Sequence, residues 1–307
     1  MKSFISWIGG KGALIDEILP RFPAKYNRYV EVFGGGASVL FAKKQKDNFE
    51  VYNDFQSNLV NLFRVVKDKP IAFLETLGFL PLNSREDFKH LKNLLEGNVE
   101  FGAYLTEELE LAGKYLESLQ FEEIKELLTT RAKAEDVNRA VAFFKVIKHS
   151  YASGGKTFGC RPMNMVGINL TIFKASERLK GVVIDNKDFE ELINQYDRVD
   201  SFFYCDPPYY ETESHYDAPF KVEDHYRLKE TLDSIQGYFL LSYNDCQFIR
   251  ELYAGYCIVR VTRLNNLKQR YDAGSEFAEV LIANYDISDK RLVSRQINLF
   301  EEEFIDE

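Results

Sequence analysis

The chain of 307 residues is short of the residues that build stapled or metal-bound domains. Its four cysteines, Cys160, Cys205, Cys246 and Cys257, lie far apart with no Cys-x-x-Cys pair. That spacing argues against a disulfide framework and against a zinc site. The four histidines, His90, His149, His215 and His225, show no metal-ligand spacing either, so no metal is expected. His215 and His225 fall in ETESHYDAPFKVEDHY, which reads as a solvated loop. Long apolar runs are also missing. The longest stretch without a charge is 12 residues, 162–173, too short to span a bilayer. No apolar segment of signal-peptide length follows the first methionine, which predicts a cytoplasmic protein without a membrane partner. What is present is ordinary for a folded chain: 45% hydrophobic and 28% charged residues. The composition excludes disorder, and the length allows one large α/β domain or a core plus a smaller one.

The net charge of −9 taken alone argues against a nucleic-acid partner, but its distribution does not. Residues 86–130 carry eleven acids and four bases, whereas residues 131–180 carry ten bases and three acids. Residues 258–270 add Arg260, Arg263, Lys268 and Arg270 with no acid. A locally basic face on an acidic protein can meet phosphates. Solvated faces balanced by their neighbours are the alternative.

Runs of β-branched and aromatic residues predict strands over 28–33, 49–53, 181–185, 199–205, 237–243, 256–262 and 277–285. Several are apolar almost throughout, as strands covered on both faces are. Helical patterns at 12–19, 37–44, 57–66 and 189–195 alternate with them, which implies an α/β fold with a mostly parallel sheet. Between about 66 and 173 the alternation gives way to helical patterns at 84–95, 101–118, 121–130 and 135–149. A glycine-rich, basic segment, YASGGKTFGCRPMN, follows them. This stretch reads as an inserted, mainly helical domain. It divides a core of residues 1–65 and 174–290, and residues 291–307 form a tail.

Three motifs carry chemistry. In VEVFGGGAS, Glu31 sits in an apolar strand that runs through Phe33 into Gly34, Gly35 and Gly36. Glycines permit a sharp turn and the close approach of a ligand at the carboxyl end of a strand; a tight turn alone is the other reading. Asp54 follows about 20 residues later, where an acid accepts ribose hydroxyls in nucleotide-type folds or caps the next helix. In FFYCDPPYY an apolar strand runs straight into Asp206, Pro207, Pro208 and Tyr209. Two prolines stiffen the turn and remove two backbone donors. The Asp206 carboxylate, the Pro207 carbonyl and the Tyr209 ring together suit a planar amine: two acceptors for its N–H groups and a face for its ring.

These motifs together resemble the Dam-like family of N6-adenine-specific DNA methyltransferases, which use S-adenosylmethionine. SWIGGKG matches the family's opening through Trp7, Gly9, Gly10 and Lys11, with Ser6 where a lysine is common. The glycine motif matches through Glu31, Phe33, Gly34 and Gly36, and IDNKDFEEL through Asp188 and Phe189. LLSYND, with Ser242, Asn244 and Asp245, resembles the strand after the double proline, and FAEVLIANY the family's last strand. The likeness implies a Rossmann-like, seven-stranded methyltransferase core whose last strand is antiparallel. It also implies that Trp7 and Lys11 close over the cofactor, Asp54 holds its ribose, Asp188 and Phe189 bracket its adenine, and Asp206 touches both cofactor and target amine.

The implied enzyme is a site-specific, adenine-specific DNA methyltransferase acting on double-stranded DNA. The target base would flip out against Tyr209, and transfer would be direct and in line. N4-cytosine or RNA methylation, and a catalytically idle DNA-binding relative, are the alternatives. In the insert, Ser153, Lys156, Thr157, Phe158 and Arg161 are the DNA candidates. Arg161 suits a guanine edge and Phe158 a wedge between base steps, with a surface turn as the other reading of each. Two decoys fall away. Gly155-Lys156-Thr157 lacks the phosphate loop's earlier glycine, since position 150 is Ser150, and Cys205 precedes the double proline as a buried strand residue would. A cognate restriction endonuclease is a further implied partner. The tail's Gln296, Leu299 and Phe300, in QINLF, resemble the peptide with which bacterial proteins bind the replication sliding clamp. A chain ending at Ser294 is therefore expected to lose clamp affinity in surface plasmon resonance; equal affinity for both chains removes this partner.

Overall fold

The computed structural model describes residues 1–44, 49–78, 84–96, 110, 113–115, 117–118, 120–122, 137–159, 166–210, 220–264 and 276–290. Among these residues seven strands form one sheet: β1 (Arg28–Glu31), β2 (Phe49–Asn53), β3 (Val182–Asp185), β4 (Ser201–Cys205), β5 (Tyr238–Asn244), β6 (Cys257–Leu264) and β7 (Glu276–Ala283). Each lies within a few residues of its sequence expectation. Their order is β3-β2-β1-β4-β5-β7-β6. The first five pair in parallel, and β7 runs antiparallel to both β5 and β6. This is the seven-stranded, Rossmann-like methyltransferase arrangement with an additional helical region. The chain leaves β1 toward β2 on one side and returns to β4 on the other. The carboxyl ends of β1 and β4 therefore flank a crevice that the fold itself creates.

Consecutive strand residues supply opposite faces. Tyr29, Tyr52, Phe202 and Tyr204 belong to one buried cluster, and Val30, Val51, Phe203 and Cys205 to the other. The first cluster takes in helices α3 (Ser57–Asp68), α4 (Pro70–Leu77), α6 (Val137–His149) and α7 (Val166–Leu179). The second takes in α8 (Phe189–Tyr196), α9 (Val222–Ser234) and α10 (Gln247–Leu252). Both faces are covered, which is why β4 is buried at all five positions and reads as an unbroken apolar run. Phe73 of α4 and Phe143 and Phe144 of α6 sit in the same cluster as α3, so this helical region shares the sheet's core.

The helix expected at 12–19 is broken. A short α1 (Ile15–Ile18) lies between 3-10 turns at Lys11–Leu14 and Leu19–Arg21. Pro20 brings no backbone N–H and cannot continue an α-helix. The helix expected at 37–44 is the short α2 (Ser38–Ala42), and α5 (Arg85–Leu95) matches its pattern. Most of 101–118 and 121–130 lies outside the described residues. Among the described residues no helix is long and apolar enough to cross a membrane.

Candidate active site

After β1 the chain turns through Gly34-Gly35-Gly36 into α2. Gly35 has φ +48° and Ala37 φ +54°, so the turn is left-handed at two places. Gly34 N–H donates to the Asn53 carbonyl at 2.7 Å, and Gly35 N–H to an Asp54 oxygen at 2.8 Å. The other Asp54 oxygen accepts Gln56 N–H at 2.8 Å, and Gln56 itself caps α3 by accepting Leu59 N–H. Asp54 is therefore not that helix's cap; it ties the glycine turn to the end of β2. Burial pushes its carboxyl up, against the two N–H donors that hold it down. Glu31 is buried and accepts the Tyr29 hydroxyl at 2.7 Å. Burial nevertheless pushes its carboxyl up to about 8.

The glycines are crowded by the protein itself. A Cβ at Gly34 would lie 2.2 Å from the Tyr52 ring, and one at Gly35 2.7 Å from the Trp7 ring. Trp7 is thus wedged between the turn and α6, with its ring 6.1 Å from that of Phe143.

At the end of β4, Asp206 keeps 18% of its side chain exposed. Lys11 Nζ stands 2.6 Å from Asp206 Oδ1 and donates to the Gly9 carbonyl at 2.9 Å. It also lies 3.8 Å from Glu279 and 4.7 Å above the Tyr209 ring. Ser242 Oγ donates to Asp206 Oδ1 at 3.0 Å. Burial raises the Asp206 carboxyl above the usual carboxylate range. Lys11 and Ser242 oppose that rise and Glu279 adds to it. Tyr209 is turned inward, 5% exposed, and its hydroxyl donates to the buried Glu279. Its ring face meets Lys11. Cys205 is fully buried, and burial pushes its thiol far up, as a packed strand residue requires.

One cavity of about 700 Å³ joins these parts, well within the range of small-molecule sites. Trp7, Lys11, Glu31, Phe33, Gly34 and Gly36 line it, as do Asp54, Asp188, Phe189, Asp206 and Pro208. Pro207 and Tyr209 do not. Within its lining Phe33, Phe189 and Phe220 form a ring cluster with centroids 5.6–5.9 Å apart. Asp188 caps α8 there by accepting Glu190 N–H at 3.0 Å. Aromatic rings, the Asp54 carboxylate and the buried Glu31 beside a glycine turn line one cavity, a donor set that fits the nucleobase, ribose hydroxyls and amino-acid end of S-adenosylmethionine.

The hairpin candidates separate. Ser153 and Lys156 line the same cavity, with Gly155 N–H donating to Ser150 Oγ at 2.9 Å beneath them. Thr157 is exposed, whereas Phe158 is half-buried with its ring 5.6 Å from that of Phe88. Arg161, Gln296, Leu299 and Phe300 lie outside the described residues, as does His215.

His225 corrects the loop reading: it sits in α9, fully buried, with Nδ1 2.6 Å from the Tyr243 hydroxyl. It packs against Tyr210 and Phe220 beside the double-proline turn, because the chain turns helical at Val222 and brings the ring inward. Sequence reasoning also missed Glu279 and the bridging role of Asn53. Asn53 donates to the Val32 carbonyl at 2.9 Å and accepts Lys187 N–H at 2.8 Å. The signal for Glu279 was an acid inside the apolar run FAEVLIANY. Among the described residues no group of three or more His, Cys, Asp or Glu side chains could hold a metal ion.

Residues 7–267 match the family described as D12 class N6 adenine-specific DNA methyltransferase. The chain is 28% identical over 300 residues to the Type II methyltransferase M1.LlaDCHI of Lactococcus lactis subsp. cremoris, covering 93% of this chain and 96% of that protein. It is 25% identical over 315 residues to the Type II methyltransferase M.MjaIII of Methanocaldococcus jannaschii, covering 93% and 99%. A shorter similarity, 38% over 76 residues, joins it to a DNA adenine methylase of Haemophilus influenzae, over 24% and 25% of the two chains.

Tyr52 cannot step aside for a larger residue at position 34. Its ring stacks on Phe63 at 4.1 Å, and its hydroxyl donates to the Gly35 carbonyl. Gly34→Ala should therefore lower stability by about 1–3 kcal/mol in urea unfolding. Gly12→Ala, whose Cβ meets nothing within 4 Å, serves as the neutral control.

Proposed function

The chain belongs to the D12 class of N6 adenine-specific DNA methyltransferases, and from that premise we propose its reaction. It transfers a methyl group from S-adenosylmethionine to the exocyclic nitrogen of adenine at a short specific site in duplex DNA. The observation that carries this reading is the opening of Asp206 into the cavity that the glycine turn and Asp54 also line.

In this reading Phe33, Phe189 and Asp188 hold the cofactor's adenine and Asp54 its ribose hydroxyls. Glu31, Gly34, Gly36, Trp7 and Lys11 enclose the remainder. When bound, S-adenosylmethionine supplies an electrophilic methyl group on a positively charged sulfur. An exocyclic adenine nitrogen is a weak nucleophile because its lone pair is delocalised into the ring. Asp206 accepts one N–H, and the Pro207 carbonyl, which stands outside the cavity lining, would take the second only once the base is seated; two such acceptors favour the pyramidal nitrogen whose lone pair is available. Most of the rate effect is then positioning and electrostatics. Support for an amine-accepting corner comes from the chain's own nitrogen donor, since Lys11 rests on Asp206 and over Tyr209. The base leaves the duplex to reach the corner. Ser153 and Lys156, which line the cavity, and the exposed Thr157 next to them engage the DNA backbone, contacts that position the duplex without reading sequence.

Mapping modified bases in DNA from cells making the protein tests the reading. N6-methyladenine is expected at one short motif, and Asp206→Ala should lower methylation at least ~10²-fold and leave cofactor binding weak. N4-methylcytosine, or no mark from the wild type, refutes it. A pH profile supplies a second check. The carboxylate must be ionised to accept, so activity falls as pH drops through the raised Asp206 pKa. Lys11→Met removes the nearest opposing charge and should move the acidic limb of kcat to higher pH; an unmoved limb would separate Lys11 from the chemistry.

A further inference from the structure

Arg227, which lines the cavity, has no role in the reading above. Its guanidinium lies 4.2 Å over the ring of Phe189. Its Nη2 donates to Asp188 at 2.8 Å and lies 3.1 Å from Asp224, and Nη1 lies 3.5 Å from Glu190. Asp224 in turn accepts Lys221 N–H at 2.8 Å in the first turn of α9. One planar fork therefore joins the amino-terminal ends of α8 and α9, and both Asp188 and Phe189 face the cavity.

We propose that Arg227 is a positioning residue for the nucleobase end of the cofactor, holding Asp188 and Phe189 in the arrangement that recognises adenine. This rests on the cofactor assignment made under Proposed function. A single exposed ion pair contributes little. Arg227 differs because the same group meets three carboxylates and a ring face, a combination that a flexible ammonium cannot reproduce. An ionised carboxylate has about four acceptor sites. Glu190 N–H and Arg227 use two at Asp188, leaving capacity for the 6-amino group of an adenine. Without the guanidinium, Asp188 faces Asp224 and Glu190 as like charges. It then rotates away, and that change removes an acceptor. The Phe189 face meanwhile opens to water.

Arg227 side chain is 40% exposed, so its removal should hardly change folding. That separates a positioning role from a structural one. The test uses the full chain and calorimetric binding of S-adenosylhomocysteine and of its 6-oxo analogue, S-inosylhomocysteine. Arg227→Met should weaken S-adenosylhomocysteine binding by about tenfold. It should also shrink discrimination against the analogue by about tenfold. The melting temperature and the kcat at saturating S-adenosylmethionine should stay close to wild type. Arg227→Lys should lose less affinity in the same direction, and it carries the comparison if the methionine variant does not fold. Unchanged affinity and discrimination overturn the proposal, as does a loss that follows the melting temperature and kcat together. A wild-type chain that binds no S-adenosylhomocysteine instead overturns the cofactor assignment itself.

Discussion

Two carboxylates, those of Asp206 and Glu279, face one ammonium at the end of the sheet. The corner between β4 and β7 depends on Lys11 standing among them. Glu279 adds to the rise that burial imposes on the Asp206 carboxyl, and the two like charges repel. A cation that also hydrogen-bonds the Gly9 carbonyl and lies over the Tyr209 ring offsets both effects at once. Because Lys11 comes from the amino-terminal segment, this contact also fixes that segment across the carboxyl ends of the strands. Trp7 reaches the glycine turn from the same segment.

The glycine turn is shaped as much by its own protein as by any ligand. Tyr52 occupies the space beside Gly34, and Trp7 the space beside Gly35. Asp54 and the Tyr52 hydroxyl hold Gly35 by its N–H and its carbonyl. A loop of three glycines, which alone would be free to wander, is held from both sides. The cavity wall behind it is therefore set by the protein's own contacts.

The helical region contributes to the same cavity. Phe143 of α6 meets Trp7, and the turn that follows α6 brings Ser153 and Lys156 to the cavity wall. A segment that composition sets apart as basic and glycine-rich thus borders the space under the sheet's carboxyl ends. A group engaging that turn and a molecule in the cavity would meet one continuous surface.

The seven strands, the glycine turn and the Asp-Pro-Pro-Tyr corner were legible in the sequence because each follows from neighbouring residues. Apolar runs make buried strands, glycine admits left-handed backbone, and proline stiffens a turn. Asp54 and Asp206 were singled out by their own motifs, Trp7 and Asp188 only by the family resemblance, and all four line the cavity. The inward turn of Tyr209 onto Glu279, the burial of His225, the packing of Phe158 on Phe88 and the bridge made by Arg227 were not legible. Each depends on a partner far away in the chain, brought near only when the sheet closes and its helices pack. Periodicity records which face a residue takes, but the identity of what it meets there is decided by tertiary contact.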